Sequence, residues 1–292
     1  MIQTRNVLQD EAEALSAALP PLLVDAERLA SAVSLGIHGR RKAGMGESFW
    51  QFRRFRAEDP STAVDWRQSA KSQHLFVRER EWEVAQSVWF WRDGSPGMQF
   101  KSGNVSKRDR ASLLALALAS ALVRGGERVA LLGDGHAPAS SRATLRRMGL
   151  GLSADTATGG LPPDAPVSRN AQFVWFGDFL SPLPAIEAVL RRFTQSGTGG
   201  YLVHIIDPAE EDFPYEGRTR FEAPGDDLRE TLGRAELVAP AYRARFKAHA
   251  ETVALLAGKL GWSYLSHRTD RSPQTALVAL YAEMSGARGY RR

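Results

Sequence analysis

The residues best suited to chemistry lie in the turn Asp93-Gly94-Ser95-Pro96-Gly97-Met98, which follows the aromatic and β-branched run Ser87–Trp91. Short polar side chains at the carboxyl end of a buried strand project into a crevice lined by backbone N–H groups, the place where α/β proteins hold ligands. Spacing narrows the chemistry. A nucleophile elbow needs G-x-S-x-G; Ser95 and Gly97 fit, but Asp93 stands where the first glycine must allow the strained turn. A phosphate loop needs a Gly-Lys pair that neither this turn nor Gly39–Met45 supplies. Phosphoryl transfer through an aspartyl nucleophile calls for a second nearby carboxylate, and position 95 is serine. A hard cation held by oxygen atoms is left: Asp93 and Ser95, two apart in an extended turn, can offer one anionic and one neutral oxygen to Mg²⁺. A further carboxylate would come from a neighbouring strand end, with Asp178, Asp134 and Asp207 as candidates. The competing reading is that each Asp caps a helix or shapes a turn.

The elements that must position these residues follow from hydrophobic periodicity. From residue 86 the chain alternates strand and helix: strands ending at Arg92, then at Arg128–Leu132, Phe173–Gly177 and Tyr201–Ile206, with helices near Lys107–Arg124, Ser141–Met148 and Pro184–Gln195 between them. That succession predicts a doubly wound, mostly parallel sheet with helices on both faces. Beyond Asp207 we expect a strand at Arg218–Glu222, a helix at Pro240–Leu260, a short strand at Trp262–Ser266 and a last helix at Pro273–Met284. Upstream, Asp10–Leu35 reads as a helix interrupted at Pro20-Pro21, and Leu75–Glu81 as a strand with one wet face.

Composition is that of an ordinary globular chain: 292 residues, 43% hydrophobic and 24% charged, enough for a sizeable core. No cysteine is present, which excludes disulfides, thiolate metal sites and cysteine nucleophiles and makes the cytoplasm the expected location. Met1–Leu15 lacks the features of a signal peptide, and Ala111–Val123 is too short to span a bilayer, so no membrane span is expected. The six histidines show no paired ligand spacing. His267 and Asp270 could support a serine nucleophile only if Ser95 sat on an elbow. Charge is unevenly placed: between His38 and Arg80 ten Lys/Arg face five acids, an excess equal to the formal +5 of the whole chain. Such a segment can contact nucleic acid, an acidic partner or nothing, and no nucleic-acid readout motif accompanies it.

Several unusual pieces occur in order: Gly44-Met45-Gly46-Glu47-Ser48-Phe49, Arg53-Arg54-Phe55, Asp59, Val64-Asp65-Trp66, Ser69-Ala70-Lys71, and then the D-x-S-x-x-M turn. Across residues 36–207 the chain resembles the bacterial domain-of-unknown-function 58 family, with its pattern G-x-G-E-F, R-x-Y, G-D-x-x-R-x-I-D-W, S-A-R and D-x-S-x-S-M. The resemblance implies a von Willebrand factor A-like fold preceded by a family-specific insertion, a metal motif at Asp93 and Ser95, and a MoxR-type AAA+ ATPase as partner; Asp178, at the end of the strand Phe173–Gly177, is the well-placed further ligand. Departures accompany the matches. Gly97 replaces the second serine of the metal motif, Glu58 the glycine before Asp59, Thr62 the arginine before Val64-Asp65-Trp66, and Phe55 a tyrosine; Ser48 is an extra residue. Such sites also take a threonine from a later loop, for which Thr144, Thr156 and Thr158 are candidates.

These readings divide the chain into an N-terminal helical segment (1–35), a signature segment (36–83) and a von Willebrand factor A-like domain (84–292). In the signature segment, Arg53, Arg54 and Arg67 are candidates for partner contact. Gly44, Gly46, Glu47, Phe49, Asp59, Asp65 and Trp66 are read as structural, with Phe49 and Trp66 as buried anchors and Asp65 paired to an arginine. The function expected is a non-enzymatic adaptor that docks through a Mg²⁺ site. The alternatives are a metal-free interaction protein using its basic segment, and a metal-dependent phosphohydrolase.

Overall fold

Every residue of Ser87–Arg92 is buried, as befits a strand covered on both faces. The structure is a computed structural model that describes residues 21–37, 49–56, 64–80, 85–154, 159–225 and 229–286. In chain order the elements are α1 (Pro21–Ile37), β1 (Phe49–Arg54), α2 (Trp66–Ser69), β2 (Phe76–Arg80), β3 (Ser87–Arg92), α3 (Lys107–Arg124), β4 (Arg128–Leu131), α4 (Arg142–Ser153), β5 (Gln172–Gly177), α5 (Leu183–Gln195), β6 (Gly199–Ile206), α6 (Pro208–Asp212), β7 (Thr219–Glu222), β8 (Arg229–Leu232), α7 (Ala239–Lys259), β9 (Ser263–Arg268) and α8 (Pro273–Gly286). They fall into two compact units, one within residues 37–85 and one that joins α1 to residues 86–292.

The larger unit carries a five-stranded sheet in the order β4-β3-β5-β6-β9, parallel throughout. The chain leaves β3 for β4 on one side and then crosses to β5 on the other. The strand order therefore reverses between β3 and β5, the switch point at which open α/β sheets form a crevice. Side chains alternate across this sheet. Trp89, Trp91, Phe173 and Trp175 enter a core shared with Ile186, Val189, Leu190 and Phe193 of α5 and Val253 and Ala257 of α7. Trp91 meets Trp175 edge to face at 5.7 Å, and Phe173 stacks on Phe193 at 4.5 Å. On the opposite face lies α3, in contact with α4 and α8. Its run from Ala111 to Ala119 is almost wholly apolar and buried, because neighbours cover it on more than the sheet side. Ser106 caps α3 by accepting from the Asp109 N–H at 3.0 Å. At its other end, Arg124 donates to Ser31 of α1 at 2.9 Å.

The smaller unit pairs β1 with β2 in an antiparallel ribbon, with Arg53 opposite Val77 and Arg54 opposite Phe76. A second ribbon, β7 with β8, belongs to the larger unit. Four short elements, β1, α2, α6 and β8, are absent from the sequence reading. β8 was not anticipated, because Arg229–Leu232 has three exposed residues and a half-buried one, with no buried face to create alternation. α1 corresponds to the part of the Asp10–Leu35 reading that follows the Pro20-Pro21 interruption and runs on to Ile37, with proline's fixed φ suiting the first turn; Asp10–Pro20 lies outside the described residues.

One close approach sets the register of β5 against β6. Gly200 pairs with Phe173, and a Cβ on Gly200 would stand 1.9 Å from the Phe173 carbonyl oxygen. Gly200→Ala is expected to destabilise the protein by about 3 kcal/mol or more in denaturant unfolding. Gly103→Ala, whose Cβ meets nothing within 4 Å, should stay within about 0.5 kcal/mol of the parent.

Candidate functional site

Asp93 and Asp178 stand at the ends of adjacent strands across the switch point. The ladder that pairs Arg92 with Phe176 continues one step further, the Asp93 N–H donating to the Phe176 carbonyl at 2.8 Å. Asp93 folds the turn back on itself by accepting from the Ser95 N–H at 2.7 Å through Oδ1. Asp178 does the same with the Leu180 N–H at 3.1 Å. Directly after Asp178, Phe179 holds a left-handed backbone with φ of 51°, one of three described non-glycine residues with positive φ. A bulky residue in that region is strained. The strain is held by packing on Trp175 and His204 and by the His249 Nε2–H, which donates to the Phe179 carbonyl at 2.8 Å.

The charge that answers these carboxylates is Lys107, the first residue of α3. Its side chain is wholly buried, with Nζ 3.1 Å from Asp178 Oδ2 and ion-paired to Glu210 Oε1 of α6. Burial alone would lower the lysine pKa, but the two carboxylates overcome it and raise the pKa above its ordinary value. Asp93 fares differently. Burial, and then the nearby Asp178 charge, push its pKa up to about 6.

Glycines bring backbone close to both carboxylates. A Cβ on Gly97 would lie 3.1 Å from Asp178 Oδ2, so position 97 faces that oxygen without a side chain. A Cβ on Gly177 would lie 3.4 Å from Asp93 Oδ2, and one on Gly160 would lie 3.9 Å from the same oxygen and 2.8 Å from Ser181 Oγ. Gly225, beside the β7–β8 turn, approaches the other side of the loop: its Cβ would meet Pro96 Cγ at 2.6 Å. The carboxylates are thus closely roofed, Asp93 being 2% and Asp178 5% exposed.

Of the residues singled out in the sequence, the structure brings together Asp93, Ser95, position 97 and Asp178. The other candidate acids serve the backbone. Asp134 accepts from the His136 N–H at 2.8 Å, shaping a turn. Asp207 caps α6 through the Ala209 N–H at 2.9 Å and also binds Ser102. Thr144 belongs to the capping of α4 by Ser141; Thr156 and Thr158 lie outside the described residues. His267 contacts Arg110 at 3.1 Å, and burial lowers its pKa to about 4. Sequence reasoning missed Lys107, Glu210, Gly160 and Ser181. A lysine opening a long apolar helix was the one available signal, since its charge opposes the helix dipole there.

The signature segment yields one correction. Trp66 is 67% exposed and is no buried anchor: it opens the four-residue helix α2, and the Asp65 carboxylate caps that helix from the Gln68 N–H at 2.9 Å. Arg54 and Arg67 are exposed, and Arg53 and Phe49 lie in β1. Gly44, Gly46, Glu47 and Asp59 lie outside the described residues.

As a place for Mg²⁺, the donor set is thin: two carboxylates and the Ser95 hydroxyl, with glycine in place of the second hydroxyl and an ammonium already on Asp178 Oδ2. Among the described residues no group of three or more His, Asp or Glu side chains could hold a metal ion. The site therefore fits a tightly held divalent cation poorly.

The parallel strand order, with its carboxylate turn at the switch point, defines a von Willebrand factor A-like α/β protein. The family described as "Protein of unknown function DUF58" matches residues 51–253, and the chain belongs to that family. It is similar to uncharacterized proteins of Mycobacterium bovis and Mycobacterium tuberculosis, 25% identical over 288 residues that cover 92% of this chain and 89% of each relative. Among solved structures it is similar to an aerotolerance-related membrane protein from Bacteroides fragilis (16% identity, TM-score 0.43) and to BatB from Bacteroides thetaiotaomicron (13%, TM-score 0.39). Each match covers 69% of this chain and all of the other. No helix among the described residues is long and apolar enough to cross a membrane.

The raised Asp93 pKa carries a pH signature. A carboxyl whose folded pKa lies above its ordinary value of 3.8 supports folding most below about pH 4, and that support is lost as pH rises through 6. Asp93→Asn, which cannot ionise, should therefore be more stable than the parent above pH 6, by up to about 3 kcal/mol. The gap should close between pH 6 and 4 in thermal melts.

Proposed function

We propose that the protein is a non-enzymatic interaction module that works with a MoxR-type AAA+ ATPase in chaperone-like assembly or maturation, and that it docks through the carboxylate turn. The observation that carries this reading is the convergence of Asp93, Ser95 and Asp178 at the switch point of the sheet, beside a strained Phe179. Strain of this kind concentrates at ligand clamps and switch regions. Family membership supports the partner, because the resemblance that implies a MoxR-type ATPase rests on the same motifs. Mg²⁺ enters as a weak bridging ion at most, given the donor set.

A second reading has its own support. Trp66 and Arg67 are exposed on α2 of the smaller unit, close in sequence to the exposed Arg54, and Trp and Arg are the residue types that dominate interface energetics. On that reading the basic segment is the contact surface.

Capture of the purified ATPase by the full-length chain separates the two. On the first reading Asp93→Ala lowers capture at least tenfold while circular dichroism shows the fold retained, and joint reversal of Arg53, Arg54 and Arg67 to Glu has little effect. The opposite pattern would establish the basic segment as the docking surface. Turnover of a generic phosphate ester that Asp93→Asn removes would instead establish a phosphohydrolase.

A further inference from the structure

Lys107 occupies an unusual place. A lysine is almost never fully buried, and at the first position of a helix its charge opposes the dipole. Here both costs are incurred, with Nζ wholly enclosed between Asp178 of the β5 end and Glu210 of α6. The oxygen that the ammonium contacts, Asp178 Oδ2, is also the oxygen that position 97 faces, where a Cβ would stand 3.1 Å away. The missing hydroxyl of the D-x-S-x-S motif and the added positive charge therefore converge on one atom. A divalent ion bound to that oxygen would stand within about 5 Å of the ammonium. Two cations so close in a buried site repel strongly.

We propose that the Lys107 ammonium is the resident cation of this site, a tethered charge that orders the Asp178 side of the carboxylate turn and makes the docking face independent of a divalent metal. The claim deepens the docking reading and rests on it for what the site is used for; the ammonium's place in the site stands on the geometry. Glu210 completes the device. Its second carboxylate oxygen accepts from the Asp207 N–H at 3.0 Å, so the acid is fixed from its own helix and the lysine is held at both carboxylates. The carboxyl ends of β5 and β6 are thereby linked through a residue of α3.

Mn²⁺ is the probe, followed by its paramagnetic resonance signal as it titrates the full-length chain. The parent is expected to show no saturable one-to-one binding in the sub-millimolar range and no change of Tm on adding Mn²⁺ or EDTA. Lys107→Met should gain one site at least tenfold tighter than any in the parent, and its lowered Tm should rise with Mn²⁺. Saturable one-to-one binding by the parent that Asp93→Asn removes would overturn the proposal, and so would a folded Lys107→Met that gains no affinity. The parent titration decides the matter even where that variant fails to fold. Failure of the docking reading looks different: the ATPase is then not captured with or without EDTA, whereas failure of the tethered charge leaves capture that EDTA abolishes.

Discussion

One buried ion pair network holds this molecule's central crevice together. Lys107 reaches from the first turn of α3 to Asp178 after β5 and to Glu210 in α6, so three segments that share no backbone ladder are joined at one ammonium. Removing one partner from a buried pair strands a charge in a poor solvent and costs about 3–5 kcal/mol. Replacing the whole set by apolar residues carries no such cost, which means that the network contributes a defined geometry more than bulk stability. The geometry in question is the direction of Asp178, set by the ammonium on one oxygen and by the Leu180 N–H on the other.

That arrangement gives the two carboxylates different characters. Asp178 has a close counter-charge, while Asp93 has none in contact and is left to burial and to the field of its neighbour, which raise its pKa to about 6. Of the two acids at adjacent strand ends, Asp93 is thus brought close to neutrality at mildly acidic pH, while the Lys107 ammonium sits on Asp178. The glycines at 97, 160 and 177 permit the close approach. Any side chain there would fall between backbone and carboxylate.

The strands and their order of appearance were legible in the sequence, because the central strands are short apolar runs closed by polar turns; which of Asp134, Asp178 and Asp207 stands beside Asp93 was not, since only the strand order decides it. Phe173–Gly177 followed by Asp178 is the clearest case, its buried residues flanked by turn chemistry on both sides. The Lys107 network was not legible. Its partners lie 71 and 103 residues away in sequence, and no local pattern records a contact made only after the sheet has formed. β8 escaped because it buries no face, and Trp66 was misjudged because aromatic character predicts average burial and says nothing of a short helix that turns one ring to solvent. Gly97 was legible as a departure, but its meaning depended on Asp178 Oδ2, which the sequence could not place opposite it.

The cation that stands against Asp178 Oδ2 decides the character of this site. Crystals of the unmodified chain soaked in Mn²⁺, with data collected at the manganese absorption edge, would image the cation directly through its anomalous signal. The tethered-charge account predicts density for the Lys107 ammonium between Asp178 and Glu210 and no anomalous peak at the carboxylate turn. A peak bridging Asp93 and Asp178, with the lysine displaced, would contradict it.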